Sequence, residues 1–75
     1  TQVNTMLTIT RVGNVITVVE TTMSFLKTWT KTVVYNLDTK RSKTNNDPWQ
    51  DMSHESVAWV NKHYVPKATV INPDN

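Results

Sequence analysis

The fold of this chain is decided by residues 6–22, which read MLTITRVGNVITVVETT. Two strand-like runs, 6–12 and 15–22, flank the dipeptide Gly13-Asn14. A two-residue connection with glycine first is typical of a type II′ turn, because glycine readily adopts the positive φ that the first turn position needs. The sequence therefore predicts a β-hairpin.

The turn also fixes how the two strands pair. Val12 is placed opposite Val15, and every step back along one strand is matched by a step forward along the other. Successive side chains alternate between faces, so one face is mainly apolar and carries Leu7, Ile9, Ile16 and Val18, flanked by Arg11 and Glu20. The other face carries Thr8, Thr10, Thr17, Val19 and Thr21. We expect the first face to form the core and the second to lie in water or along an edge.

A third strand is predicted over residues 25–37. Its odd positions are Phe25, Lys27, Trp29, Lys31, Val33, Tyr35 and Leu37, and the even positions include three threonines. Threonine is β-branched and favours pleated surfaces over helices. A helix capped by Ser24 is the alternative, because Phe25, Leu26, Trp29 and Val33 also fall near one helical face.

The second half of the chain predicts a loop and a helix. Residues 38–46 contain no large apolar side chain and are expected to form an exposed basic loop. Asp47 as N-cap, Pro48 at the first helical position and Gln50 three residues after the cap indicate a helix start. The helix is expected over residues 48–64, with one face formed by Trp49, Met52, Ser56, Trp59, Val60 and His63. Val65-Pro66 should end it.

These elements predict a single small α+β domain over residues 1–75. Its three-stranded antiparallel sheet is packed by one C-terminal helix whose Trp59 lies in the core, and residues 68–71 are a candidate for a short final strand. A chain of 75 residues builds one core, which normally supplies only about 3 to 5 kcal/mol. Dimerisation or partner binding would add stability, so a homodimer is among the expected partners.

Composition excludes several function classes. The chain has no cysteine, hence no disulfide or thiolate site, and this suits a reducing compartment such as the cytoplasm. Its single glycine precludes a phosphate-binding glycine loop. His54-Glu55 begins a zinc motif whose second histidine position holds Ala58, so we expect no metal and no cofactor. With no nucleophile motif and no apolar run near the roughly 20 residues of a membrane span, we expect a soluble, non-enzymatic binding protein without a membrane partner.

The first candidate binding group is Lys27, Trp29 and Lys31, which project from the same face of the predicted strand. An aromatic ring between two cations suits stacking on a nucleic-acid base while the ammonium groups meet phosphates. The alternative is that Trp29 belongs to the core and the lysines lie around its edge.

The second candidate group is Lys40, Arg41 and Lys43 in the predicted loop, where cations gain from contact with a phosphate backbone. The alternative is a basic loop that only aids solubility. Trp49, at the predicted helix start beside this loop, is expected to be partly exposed and to contact a partner.

Two function classes follow from these groups. The favoured one is a nucleic-acid-associated regulatory protein that uses the basic loop and the Lys/Trp strand face. The other is a small protein-binding inhibitor or adaptor, of the accessory or phage-encoded viral type, that uses an aromatic patch or a sheet edge. The positive loop favours the first class, whereas the net charge of only +2 and the aromatic residues of the helix favour the second.

Overall fold

The computed structural model describes residues 4–71, which form one six-stranded sheet and one C-terminal helix. The strands are β1 (Asn4–Val12), β2 (Val15–Met23), β3 (Thr28–Asn36), β4 (Arg41–Thr44), β5 (Gln50–Asp51) and β6 (Thr69–Val70). Their order is β5-β4-β3-β2-β1-β6, antiparallel throughout except for the parallel pair β1–β6. The α+β class is confirmed, whereas the predicted number of three strands was too low.

The predicted hairpin and its register are confirmed. Val12 pairs with Val15, Ile9 with Val18 and Leu7 with Glu20. Gly13 has a φ of +58°, while Asn14 is not among the residues of positive φ, as a type II′ turn requires. The glycine is needed for this backbone conformation and not for space, because a Cβ at its position would meet no atom within 4 Å.

Residues 28–36 form the predicted third strand and not the alternative helix, but residues 25–27, predicted as part of this strand, lie in the connection that precedes it. β3 pairs with β2 along its whole length, from Met23 opposite Thr28 to Val15 opposite Asn36. The connection between them is closed by a hydrogen bond in which the Ser24 amide donates to the Lys27 carbonyl at 2.9 Å. Ser24 therefore closes a turn and caps no helix.

The predicted loop over 38–46 is wrong, because residues 41–44 form β4. The Asn36 side chain accepts hydrogen bonds from the amides of Asp38 and Thr39, and Lys40 adopts a φ of +58°. This tight turn brings the chain back beside β3, so that Lys43 lies opposite Val34. A polar segment pairs here because backbone groups, and not apolar side chains, hold it at the margin of the sheet.

The predicted helix start at residues 47–50 is also wrong. Gln50–Asp51 is a short strand on β4, held in part by the Met52 amide, which donates to the Lys40 carbonyl at 2.8 Å. The helix α1 (His54–Trp59) begins after Ser53, whose side chain accepts from the Ser56 amide. A π-helical turn (Val60–Tyr64) and a 3-10 turn (Val65–Lys67) continue it, so Pro66 lies in the last turn. Residues 54–67 are called the C-terminal helix below.

The core is small and lies toward the Gly13 end of the sheet. Among residues 4–71, four hydrophobic side chains are buried: Ile9, Ile16, Val18 and Val60. Partly buried residues packed against them are Tyr35, Leu37, Met52, Tyr64, Val65 and Ala68. Trp59 is 50% exposed, so the prediction that it fills the core was wrong, and its neighbour Val60 takes that place.

The side of the sheet on which the C-terminal helix packs is called the helix face, and the opposite side the threonine face. The helix covers only the end of its face near Gly13. The other end comprises residues 4–7 of β1, 20–23 of β2, 28–31 of β3 and the connecting residues 24–27, and is called the open end.

The short β6, predicted as an optional final strand over 68–71, pairs with Thr10 and Arg11. Within residues 4–71, no helix is long and apolar enough to span a membrane.

Candidate functional site

Lys27, Trp29 and Lys31 lie together at the open end, on the helix face. Trp29 and Lys31 share this face with Val33 and Tyr35 because side chains alternate along β3. Trp29 is 44% exposed, and the Lys27 Nζ lies 5.3 Å from its ring centroid, within the range of a cation–π interaction. Trp29 is thus a surface residue and not part of the buried core.

The charge of this group is not purely positive. Glu20 lies opposite Lys31 in the pairing of β2 with β3, so the carboxylate and the ammonium project from neighbouring positions of one face. Thr22, opposite Trp29, is the buried polar residue of the sheet. A ligand above Trp29 would therefore meet two cations, one anion and an aromatic ring.

Lys40, Arg41 and Lys43 are not part of that group. The pairs Val34–Lys43 and Asn36–Arg41 place Arg41 and Lys43 on the threonine face. Lys40 lies in the turn that precedes β4. The two groups of cations predicted to act together are thus separated by the sheet.

Arg41 is also engaged within the chain. Its Nε lies 3.4 Å from Asp51 Oδ1, and its Nη2 donates to the Trp49 carbonyl at 3.2 Å. Because the side chains of the ion pair are well exposed, its main effect is to orient the guanidinium and to offset its charge. Arg41 is a weaker candidate for a phosphate contact than its sequence position indicated.

Trp49 is partly exposed, as predicted, but lies beside β4 and not at a helix start. With Asn36, Thr39 and Arg41 it lines an open hollow of about 190 Å³. Drug-sized ligands occupy clefts of ~300–1,000 Å³. The hollow is too small to enclose a substrate of that size, although it leaves the indole accessible to a partner.

A second aromatic group lies on the C-terminal helix. The ring centroid of Trp59 is 4.4 Å from that of His63 and 4.7 Å from that of Tyr64, and Tyr64 lies 5.7 Å from Tyr35. Burial raises the pKa of the Tyr35 hydroxyl, with a smaller contribution from Tyr64. In the sequence, the four-residue spacing of Trp59 and His63 predicts that both lie on one helical face. It does not predict that this face is half exposed.

The open end carries an apolar surface that sequence reasoning missed. Its exposed large side chains are Leu7 and Trp29 on the helix face, Met6 and Met23 on the threonine face, and Phe25 and Leu26 in the β2–β3 connection. Phe25 and Leu26, in the β2–β3 connection, are 83% and 86% exposed. The signal in the sequence was an apolar pair placed in a short connection, where polar residues and glycine are usual.

The outer edge of β1 is available for pairing next to this apolar surface. β6 pairs only with Thr10 and Arg11, so among residues 4–71 no strand lies beside residues 4–8. The Ile71 amide donates to the Arg11 carbonyl at 2.8 Å, so the backbone groups of Arg11 point away from β2. Because this direction alternates along a strand, the N–H and C=O groups of Thr5 and Leu7 also point outward.

The described residues contain no group of three or more histidines, cysteines or acids that could hold a metal ion. No family model, curated protein or solved structure matches this chain. The surfaces described above are therefore interpreted from their own geometry.

Proposed function

We propose that this chain is a small non-enzymatic binding protein of the inhibitor or adaptor type, which holds a partner protein at the outer edge of β1 and the adjoining open end. The observation that carries the proposal is the edge of residues 4–8, which contains no charge and no proline and includes the exposed Met6 and Leu7. Exposed strand edges are usually protected by charges, prolines or bulges. An edge without such protection is suited to pairing with another strand.

Strand addition explains both features of this region. An extended segment placed beside β1 would bond to the outward backbone groups of Thr5 and Leu7, which supplies affinity. Its side chains on one face would meet Leu7 and on the other Met6, which are 51% and 60% exposed, and these contacts would supply specificity. Since the C-terminal helix already covers the other end of its face, only the open end can be covered by a partner in this way.

A proline substitution at the edge tests this proposal. Thr5→Pro removes an outward N–H that no residue of the sheet uses, so the fold should persist. The probe is a set of extended peptides selected from a random display library against the unmodified chain. We expect Thr5→Pro to weaken their binding about tenfold or more, because it removes one bond and blocks the approach of the strand.

Thr5→Val is the matched control, because it changes the same side chain and keeps the amide. It should bind the selected peptides like the unmodified chain. If Thr5→Pro remains folded by circular dichroism and binds the peptides with unchanged affinity, strand addition at β1 is wrong.

A second candidate function, binding of single-stranded nucleic acid, is favoured by the contact between Lys27 and Trp29. A half-exposed indole with an ammonium group 5.3 Å from its centroid suits base stacking with a neighbouring phosphate contact. It ranks second because Arg41 and Lys43 lie on the opposite face and Glu20 offsets Lys31.

Two double variants with equal loss of charge test whether nucleic acid binds at the face of Trp29. A titration with a thymidine oligonucleotide of about 10 residues at two salt concentrations measures affinity and its salt dependence. Lys27→Ala/Lys31→Ala should weaken binding, whereas Arg41→Ala/Lys43→Ala, on the threonine face, should not. Equal losses in both variants would indicate a nonspecific charge effect and refute the assignment to Trp29.

The proposal includes the absence of catalytic activity and a cytoplasmic location. The first is supported by the small volume of the hollow beside Trp49 and the second by the cysteine-free composition. Localisation of a fluorescently tagged chain in its native host would test the second point.

A further inference from the structure

The threonine face carries no charged residue on its three long strands. Five positions of each strand project from it, which gives fifteen positions in all. On β1 they are Asn4, Met6, Thr8, Thr10 and Val12, on β2 Val15, Thr17, Val19, Thr21 and Met23, and on β3 Thr28, Thr30, Thr32, Val34 and Asn36. The C-terminal helix lies on the other face, and at the β4 margin of the threonine face Trp49 lies beside Asn36 and Arg41.

This absence of charge is unusual for a surface in water. Charged residues make up about 25–35% of a well-solvated surface, so fifteen positions should include about four. The charges of β1, β2 and β3 all lie on the helix face: Arg11, Glu20 and Lys31. On the threonine face, the nearest cations, Arg41 and Lys43, lie beyond β3 on β4.

The side chains of this face also suit packing against another sheet. Eleven of the fifteen are threonine or valine, which are stiff at χ1 and therefore lose little conformational entropy on contact. Two sheets pack face to face about 10 Å apart with interdigitating side chains. The threonine face is thus a rigid and neutral surface suited to such an interface.

We infer that the threonine face packs against the same face of a second copy of this chain. The chain carries a formal charge of +2, and like charges facing each other across an interface are strongly unfavourable. The three long strands of the threonine face can meet their own copy without such a penalty, whereas the helix face, with Arg11, Glu20 and Lys31, would have to bring opposite charges into register. A protein partner selected by charge complementarity would in turn not be matched to a neutral face.

The size of the face sets the strength of the dimer. Three strands of nine residues give a flat area of roughly 440 Å² per copy, compared with about 800 Å² for a standard interface. The dimer is therefore weak and forms in a concentration-dependent manner. Two copies joined in this way keep both helix faces and the outward backbone groups of both β1 strands accessible, so each dimer offers two edges to the partner proposed above. Met6 projects from the threonine face, so in the dimer the partner strand would contact Leu7 and not Met6.

Sedimentation equilibrium tests this inference. Between about 10 µM and about 1 mM, the average mass should rise from 8.6 kDa toward twice that value. Thr8→Lys/Thr30→Lys places two cations on exposed positions of the threonine face and should raise the Kd at least about tenfold. Ala58→Lys/Asn61→Lys, on exposed helix positions, adds the same charge and should raise it much less.

The remaining outcomes each decide the question. A mass of 8.6 kDa at every concentration, or equal weakening in both lysine pairs, overturns the inference. Loss of the dimer in Thr5→Pro would assign self-association to the β1 edge and would also overturn it. If Thr8→Lys/Thr30→Lys does not fold, the amide chemical shifts of the unmodified chain are followed on dilution instead. The inference requires the largest shift changes at Thr17, Val19 and Thr21. Changes centred on the helix would refute it.

Discussion

The two ends of the sheet are built from the same three strands but differ in what covers them. At the Gly13 end, Ile9, Ile16 and Val18 are buried beneath Val60 of the C-terminal helix. At the open end, Leu7 and Trp29 project from the same face and are about half exposed. The strands continue without interruption from one end to the other, so the difference arises from the length and position of the helix.

In the proposed function, stability and partner binding fall to separate ends of one sheet. Covering apolar side chains at one end stabilises the domain, while uncovered ones at the other end are available to a partner. β2 and β3 pair along their whole length and connect the two ends. The following predictions test the contrast, beginning with the largest expected effect.

The largest effect is expected from truncation within the covered end. Ile16 is fully buried, so Ile16→Ala should lower the free energy of unfolding by about 2–5 kcal/mol. Leu7→Ala, at the open end, should cost less than about 1 kcal/mol because Leu7 is already half exposed. Urea denaturation followed by circular dichroism measures both values. Equal losses would mean that the two ends do not differ in packing.

An intermediate effect is expected at Trp59, which borders the core. Burial would imply a cost of about 3–5 kcal/mol for Trp59→Ala. Because half of the side chain is exposed and its other contacts include His63 and Tyr64, we expect about 1–2 kcal/mol. Trp59→Phe should lose less, since it keeps an aromatic ring beside Tyr64. If Trp59→Ala lowered the free energy of unfolding by about 3–5 kcal/mol, the exposed position of Trp59 would be contradicted.

A pH effect is expected at Tyr35, also at the covered end. Burial raises the pKa of Tyr35 above its ordinary value of 10.0, so the neutral hydroxyl is favoured in the folded state. This contribution to stability is fully present below pH 10 and is lost as the pH rises beyond it. The decrease in melting temperature from pH 9 to pH 11 should therefore be smaller in Tyr35→Phe than in the unmodified chain. An identical decrease in both would contradict the assignment to Tyr35.

The smallest effect is expected at the β2–β3 connection. Phe25→Ser/Leu26→Ser should change the free energy of unfolding by less than about 0.5 kcal/mol, because both side chains are exposed. Leu37→Ser is the control in another connection, and should cost more because Leu37 packs on the core. Urea denaturation distinguishes them. A large loss in the double variant would show that the open end contributes to the core.

The hairpin could be predicted because its local signals agree. Gly13 fixes the turn, and the alternation of Leu7, Ile9, Ile16 and Val18 fixes which face is apolar. Both signals select one register, since a slip of one residue would move the apolar set to the wrong face. The grouping of Trp29 and Lys31 on one face was predictable from the same alternation, and their binding role remains a prediction.

The second half of the chain could not be predicted from local signals. Arg41–Thr44 has no apolar pattern and becomes a strand because the turn at Lys40 returns it to β3. Asp47-Pro48 carries a helix-start signal, but the neighbouring residues pair with β4 instead, and Ser53 caps the helix. These outcomes depend on tertiary pairing, which overrides local preference.

The candidate site was predicted only in part for the same reason. Which face Arg41 and Lys43 occupy depends on the register of β4 against β3, which the sequence does not reveal once the segment is taken for a loop. The exposure of Trp59 depends on Val60 taking the core position and on the π-helical turn that follows it. One residue along a helix rotates a side chain by about 100°, so the choice between neighbours required the structure.

The strand order has a consequence for the kinetics of folding. From β1 to β5 each strand pairs with its immediate neighbour in the chain, and only β6 pairs with a strand from the far end. Contacts between nearby residues form rapidly, whereas joining distant ones requires closing a long loop. The meander should therefore form first, with the attachment of β6 to Thr10 and Arg11 as the final step, and until then β1 presents its whole outer edge to other chains during synthesis.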